Sequence, residues 1–283
     1  MVNFSYDGEK LSDYGCIVAS IRTAYQDSVQ IGTNITYNTI QNQATYMHKI
    51  INSKYDDVIT ATFDICRNPC LYNGQNMGFS DGEISHFMRW LKEKFSYEDD
   101  FNNQKQYKKF KPIYKDGSYS DLYFYGTFTS ISAIVFNGKV VGFTLTFTSN
   151  SPFGYVNDKE YTTSLNSAGG QFIFYDDSDE IGYLYPYFFQ VECLSDGTLT
   201  IQNDRDKKST IITGCLHGEV ITMDCGNKVI HSSISHTTLY NDFNYNYPRL
   251  INDKESRRNI FTVSLPCNII MKYAPIRKAG IIV

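Results

Sequence analysis

The 283-residue chain lacks most of the marks by which a sequence declares its chemistry. It has no excess of positive charge: 26 Lys plus Arg stand against 30 Asp plus Glu, for a formal net charge of −4. Wrapping nucleic acid needs a clustered basic face, and a mildly acidic chain does not supply one. The densest basic run, Lys105-Gln106-Tyr107-Lys108-Lys109-Phe110-Lys111, is read as a solvated strand edge or loop. No uninterrupted apolar run approaches membrane-spanning length, so no membrane partner is expected. The opening Met1-Val2-Asn3-Phe4-Ser5-Tyr6-Asp7-Gly8 has no charged segment followed by an apolar one. No secretory signal is read there, and a cytoplasmic origin is expected.

Paired cysteines are missing too. The seven are Cys16, Cys66, Cys70, Cys193, Cys215, Cys225 and Cys267, an odd number and mostly scattered. The close pair Cys66 and Cys70 has no matching second pair, whereas zinc sites usually show two. All seven are read as reduced, small, apolar residues. Histidines are few: His48, His86, His217, His231 and His236. None stands in a metalloprotease spacing or beside a nucleophile elbow. His231 and His236, five apart with no third ligand, are read as surface residues. Gly32-Thr33-Asn34 and Gly74-Gln75-Asn76-Met77-Gly78 lack the ending and context of a phosphate loop. No fixed-period repeat or low-complexity tract is seen.

What is there favours β-structure. Hydrophobic residues make up 42 % and aromatics 15 %, with 23 Tyr and 19 Phe against one Trp. Aromatic and β-branched residues suit pleated, half-buried surfaces. The length suits two domains. Turn signals at Asp7-Gly8 and Tyr14-Gly15 flank short strands, with Cys16–Ile21 as one of them. Residues 25–50 are polar and aromatic with little apolar periodicity, and the stretch Ile31 to Ile40 is read as a long exposed hairpin. Such a segment buries little by itself and needs a partner surface. Residues 58–66 alternate, with Ile59, Ala61, Phe63 and Ile65 on one face.

One helix is expected over 80–95. Ser80-Asp81-Gly82-Glu83 fits a capping box, and Ile84, Phe87, Met88, Leu91 and Phe95 follow at helical spacing. Residues 121–149 read as a hairpin turning at Asn137-Gly138. Residues 155–170 look loop-like and carry the domain boundary, which separates a domain 1–155 from a domain 156–283. The remainder shows short strands with regular turns, as in a sandwich. The fold class expected is therefore mainly all-β.

Two further clusters could carry binding chemistry. Asp176-Asp177-Ser178-Asp179-Glu180 could offer oxygens to calcium but lacks the EF-hand pattern, and is read as a solvated loop. Tyr183, Tyr185 and Tyr187 share one strand face and are read as core rather than as a sugar-stacking platform. No residue is assigned a catalytic, cofactor-binding or metal-ligating role, no cofactor is expected, and no enzyme is read here.

The order of these signals resembles the distal tail (Dit) proteins of siphophages. The segments that carry the likeness are Phe4–Gly15, the helix with its Trp90-Leu91 pair, Tyr123–Phe128, Val141–Phe147 closing in Ser151-Pro152-Phe153, and the late strands Asn259–Val263 and Ile269–Pro275. The resemblance implies an N-terminal β-sandwich with one flanking helix and a projecting hairpin, followed by a galectin-like, carbohydrate-module-like β-sandwich. It implies a structural virion protein at the distal end of the tail, assembled in the host cytoplasm. Such proteins form a ring, commonly a hexamer, whose hairpin reaches the neighbouring subunit. The implied partners are the tail tube protein, the tail hub or tail-associated protein, and baseplate or receptor-binding components. DNA would pass through the lumen without specific binding, and the second domain would hold adhesion components or bind host saccharide. The alternatives are a carbohydrate-binding module used in adhesion and a hydrolase of cell-wall glycans.

Overall fold

The computed structural model describes residues 1–19, 32–42, 47–55, 58–96, 99–234, 236–253 and 255–282. Chain contacts divide it into two units: Met1–Tyr155 with Lys278–Val283, and Val156–Arg277. The fold is mainly all-β, as the aromatic and β-branched composition predicts.

The first unit contains strands β1 (Asn3–Tyr6), β2 (Glu9–Lys10), β3 (Cys16–Val18), β4 (Ile35–Asn42), β5 (Met47–Tyr55), β6 (Thr60–Arg67), β7 (Lys108–Ile113), β8 (Phe124–Phe136) and β9 (Lys139–Ser149). Seven of them form one antiparallel sheet in the order β2-β1-β7-β8-β9-β6-β3. The sheet curls on itself: the Val18 N–H donates to the Val2 carbonyl at 3.2 Å, which ties β3 to the start of β1. Phe4 of β1 meets Phe63 of β6, four strands away in that order, with ring centroids 5.6 Å apart across the interior. Phe110, Phe128 and Phe147 complete this aromatic core. Gly126 of β8 is required there, because a Cβ would lie 2.3 Å from the Thr148 carbonyl oxygen.

A helical turn at Pro69–Tyr72 precedes the main helix, Asp81–Lys92. Ser80 and Glu83 form the expected capping box. The helix is shorter than the 80–95 expected: Glu93 is extended, and Ser96 instead hydrogen-bonds Asp7 and Gln106. Its buried face is Phe87, Trp90 and Leu91. Met88 and Phe95 of the expected stripe are exposed, and Trp90 donates to the Tyr6 carbonyl.

The basic run 105–111 is corrected in its second half: Lys105 and Tyr107 are exposed ahead of the strand, as read, but Lys108–Lys111 are not a solvated edge. It enters β7, an interior strand between β1 and β8. Lys108 is 1 % exposed, with its Nζ 3.5 Å from Asp7 and 3.3 Å from the Trp90 carbonyl oxygen.

The second unit is a two-layer sandwich. One sheet orders Lys159–Leu165, Cys267–Tyr273, Phe188–Cys193, Val220–Asp224 and Val229–Ser232; the other orders Gly170–Tyr175, Arg258–Val263, Gly197–Asn203 and Ser209–Cys215. Both contribute to one hydrophobic core, with strict alternation in Cys267–Tyr273, where Cys267, Ile269, Met271 and Tyr273 point inward. Lys159–Leu165 lies in the stretch expected to be loop. It is an edge strand, largely exposed, so it never shows the apolar alternation of an interior one.

Candidate assembly surface

The β4–β5 hairpin stands apart from the seven-stranded sheet as a two-stranded ribbon. Its strands run in register from Ile35↔Tyr55 to Asn42↔Met47, with a bulge that leaves Ile51 out of the ladder. Residues 43–46 between the two strands, and residues 20–31, which include the start of the expected 25–50 segment, lie outside the described ones. Ile31–Ile40 is not a hairpin in itself; its described part belongs chiefly to β4.

Apolar side chains on this ribbon face solvent: Met47 is 70 % exposed, and Ile35, Tyr37, Ile40, Ile50 and Ile51 are all exposed. A lone two-stranded hairpin is at best marginally stable in water. Its root is anchored where Tyr55 meets Phe153 edge-on, with centroids 4.7 Å apart. No carboxylate occurs from Gly32 to Tyr55, while His48, Lys49 and Lys54 lie on β5.

A second ribbon feature is the distal part of β8 with the start of β9. β7 pairs with β8 only from Phe124 to Gly126, and β9 pairs with β6 only from Gly142 onward. The tip carries exposed Val135 and Phe136, the latter 69 % exposed, at the expected Asn137-Gly138 turn.

The residues weighed as chemical candidates are placed as follows. Cys16, Cys193, Cys215, Cys225 and Cys267 are buried, Cys66 is half-buried, and Cys70 is exposed on the short helical turn. Among the described residues, no three His, Cys, Asp or Glu side chains gather as a metal set. In the acidic cluster, Asp177 is taken up by Lys159 and Arg277, at 2.6 and 3.0 Å. Asp176 is buried, accepts the Ser178 N–H, and has its pKa raised by that burial. Gly78 lies three residues before the start of the helix and against Lys139, without a phosphate-loop frame.

His231 is exposed, but His236 is not the surface residue expected. Its Nδ1 lies 2.8 Å from Glu219 and its Nε2 3.2 Å from Asp242. Glu219 is fully buried and also accepts from Ser232 and from the Leu216 N–H. Burial alone would lower the pKa of His236, yet the hydrogen bonds to two carboxylates outweigh it and raise the value above the ordinary one.

The tyrosine trio is corrected as well: it is not core. Pro186 interrupts the strand, Tyr183 is 61 % exposed, and Tyr187 is exposed. Tyr185 packs against the core while the Lys228 Nζ sits 3.3 Å above its ring; the Arg249 guanidinium covers one face of Tyr183 at 3.8 Å. Arg249 is held in place by Asp206, at 2.5 and 3.0 Å. This cation–aromatic stack had no sequence signal, because its members are far apart along the chain.

Comparison with known proteins adds the following. A family model described as phage tail protein N-terminal domain matches residues 1–151, and one described as phage tail C-terminal domain matches residues 153–273. No curated protein matches the chain. Among solved structures, the crystal structure of Dit from phage SPP1 aligns with a TM-score of 0.59 at 12 % identity, over 97 % of this chain and 99 % of that one. Its description is a paradigm of the hub adsorption apparatus in phages infecting Gram-positive hosts. A chain of the phage p2 baseplate, in its activated conformation with Sr, aligns with a TM-score of 0.46 at 12 % identity, over 96 % and 98 % of the two chains.

Proposed function

This chain belongs to a family of phage tail proteins, and from that premise we propose that it is a non-enzymatic structural subunit of the distal tail, assembling as a ring that joins the tail tube to the baseplate or tip hub. The observation that carries the proposal is the β4–β5 hairpin, whose apolar side chains are exposed on a ribbon of only two strands. Burial of each large apolar side chain gains about 1.5–3 kcal/mol, so a neighbouring copy is the natural source of the missing cover. The architecture shared with SPP1 Dit supports the reading. In the ring, a central lumen passes DNA without gripping it. The second unit supplies attachment for baseplate or receptor-binding components.

The test is assembly state. The full-length protein is expected to sediment as a closed oligomer and to show rings with a central hole by negative-stain microscopy. Ile40→Asp with Ile51→Asp, both at exposed positions, should shift it to monomer without unfolding it. Parent protein that stays monomeric at every concentration, or rings indifferent to the double substitution, would overturn the proposal.

A second reading, saccharide binding by the second unit, is favoured by exposed Tyr183 and Tyr175. Arg249 covers one face of Tyr183 and Lys228 lies over Tyr185, but Tyr185 is the weaker candidate because it also packs against the core. Glycan-array binding that disappears in Tyr183→Ala would support this reading.

A further inference from the structure

Four of the seven cysteines lie in the second unit, Cys193, Cys215, Cys225 and Cys267, and all four are buried and reduced. Two of them face each other. Cys193 ends the strand Phe188–Cys193, Cys267 begins the strand Cys267–Tyr273, and the antiparallel register sets them directly opposite. Both side chains point into the core, on the same face of the sheet. The Leu194 N–H donates to the Pro266 carbonyl at 2.9 Å, while the Cys193 N–H donates to the Glu219 carbonyl and the Cys193 carbonyl accepts from Gly218. The two cysteines are therefore a non-hydrogen-bonded pair, the kind that brings opposite Cα atoms to about 4.5 Å. A disulfide spans Cα separations of roughly 4.4–6.8 Å, so neither strand has to move to form one.

We infer that Cys193 and Cys267 are a site of oxidative cross-linking, closing to a disulfide once the protein leaves a reducing cytoplasm. A bond there is independent of the ring reading; the family supplies only its setting. A tail protein is made in a cytoplasm, where thiols stay reduced, and serves on a particle outside it, where disulfides form and persist. Cys215 approaches Cys193 from the facing sheet, but facing sheets lie about 10 Å apart, beyond the reach of a disulfide without backbone movement. The Cys215 thiol is also turned to its own strand, where it donates to the Ile212 carbonyl at 3.5 Å. The neighbouring Cys215 and burial raise the pKa of Cys193, and burial pushes the Cys267 thiol up to about 11. Both stay protonated and inert during synthesis. The pair is the last rung of its ladder, beside half-buried Leu194, Leu265 and Pro266, where fraying admits a small oxidant.

The oxidant is a peroxide. The thiol of the pair that first gives up its proton attacks a peroxide oxygen, leaving a sulfenic acid and one water. The second sulfur then displaces the sulfenic oxygen, which departs with the second thiol's proton as another water, and the S–S bond closes. Two thiols lose two electrons, and hydrogen peroxide is reduced to two waters. The bond joins two interior strands of the five-stranded sheet and closes a loop from 193 to 267, most of the second unit. Constraining so long a loop acts against the unfolded chain.

Hydrogen peroxide treatment of the full-length protein tests this, in a Cys70→Ser background that removes the exposed thiol. Alkylation in denaturant is then expected to find four free thiols per chain in place of six. Peptide mapping without reductant should recover one joined pair, through Cys193 and Cys267, which dithiothreitol separates. The calorimetric transition of the second unit should rise by several degrees on oxidation and return on reduction. Adding Cys267→Ala should leave all five remaining thiols free, whereas adding Cys215→Ala should leave the link intact. Six free thiols after treatment would overturn the inference. So would a link through Cys215, sulfinic acid at Cys193 or Cys267 in place of a bond, or a Cys193–Cys267 link that does not move the transition.

Discussion

Lys108 is the residue whose environment departs furthest from what its type suggests. Burial pushes its pKa below the ordinary lysine value, and the Asp7 carboxylate pushes back. Asp7 sits at φ 53°, in the left-handed region that Asn tolerates well. Removing one member of a buried pair strands the other charge and costs about 3–5 kcal/mol, whereas removing both charges costs far less. Lys108→Met is therefore expected to destabilise the first unit by that amount, and adding Asp7→Asn should recover most of the loss. Trp90, the one tryptophan, lies in this core and reports unfolding of this unit alone in urea titrations. A double substitution as unstable as Lys108→Met would show that the pair is not the source of the cost. Nothing local in Lys105–Lys111 announced this burial, because it depends on Asp7 and Trp90 arriving from elsewhere in the chain.

At the scale of elements, the Glu219–His236–Asp242 clamp fastens the helical turn Leu239–Asp242 to the strand Val220–Asp224 and its approach. The pKa of His236 is raised, so its stabilisation is complete below the unfolded value near 6.5 and is lost as pH rises through the higher folded value. The pKa of Glu219 is lowered despite burial, through Ser232, His236 and the Leu216 N–H. Its contribution is present above about 4.5 and is lost as pH falls through the lower folded value. The clamp is thus strongest between those two ordinary values. Calorimetry should find the second unit melting at a higher temperature at pH 5.5 than at pH 8, with the difference reduced in His236→Gln. An unchanged difference in that variant would assign the pH dependence to other groups. The strands themselves were easier to read than the clamp: alternation at 58–66 and 141–147 and the Asn137-Gly138 turn are local signals of β6, β8 and β9. The edge strand Lys159–Leu165 carries no such signal, and neither does the division of the expected 25–50 segment into β4 and β5.

For the whole molecule, the chain path is discontinuous. Residues 278–283 group with the first unit, so the second is inserted between Tyr155 and Lys278. Ile281 is 2 % exposed within the first core, and the Ile282 N–H donates to the Tyr114 hydroxyl. Ile281→Ala should cost the first unit about 2–5 kcal/mol, the range for a buried Ile truncation. Trp90 fluorescence would report that loss, while the calorimetric transition of the second unit stays in place. A loss confined to the second unit would contradict the division. A boundary drawn from composition at residues 155–170 had no means of showing this return, since Ile281 meets its core partners only in the folded chain.

The sequence by itself determined the fold class, the capped helix, the positions of the alternating strands and the want of self-burial in the hairpin region. These are properties of composition and of periods two and 3.6, which neighbouring residues express without help from the rest of the chain. Only the tertiary structure decided that Lys108 is buried, that His236 is clamped by two carboxylates, that the tyrosine faces are covered by cations, and that β8 has an open edge beyond Gly126. Each of these depends on which distant strand or loop comes to lie alongside. Such long-range pairing is chosen by the packing and hydrogen bonding of the whole chain, and no local window contains it.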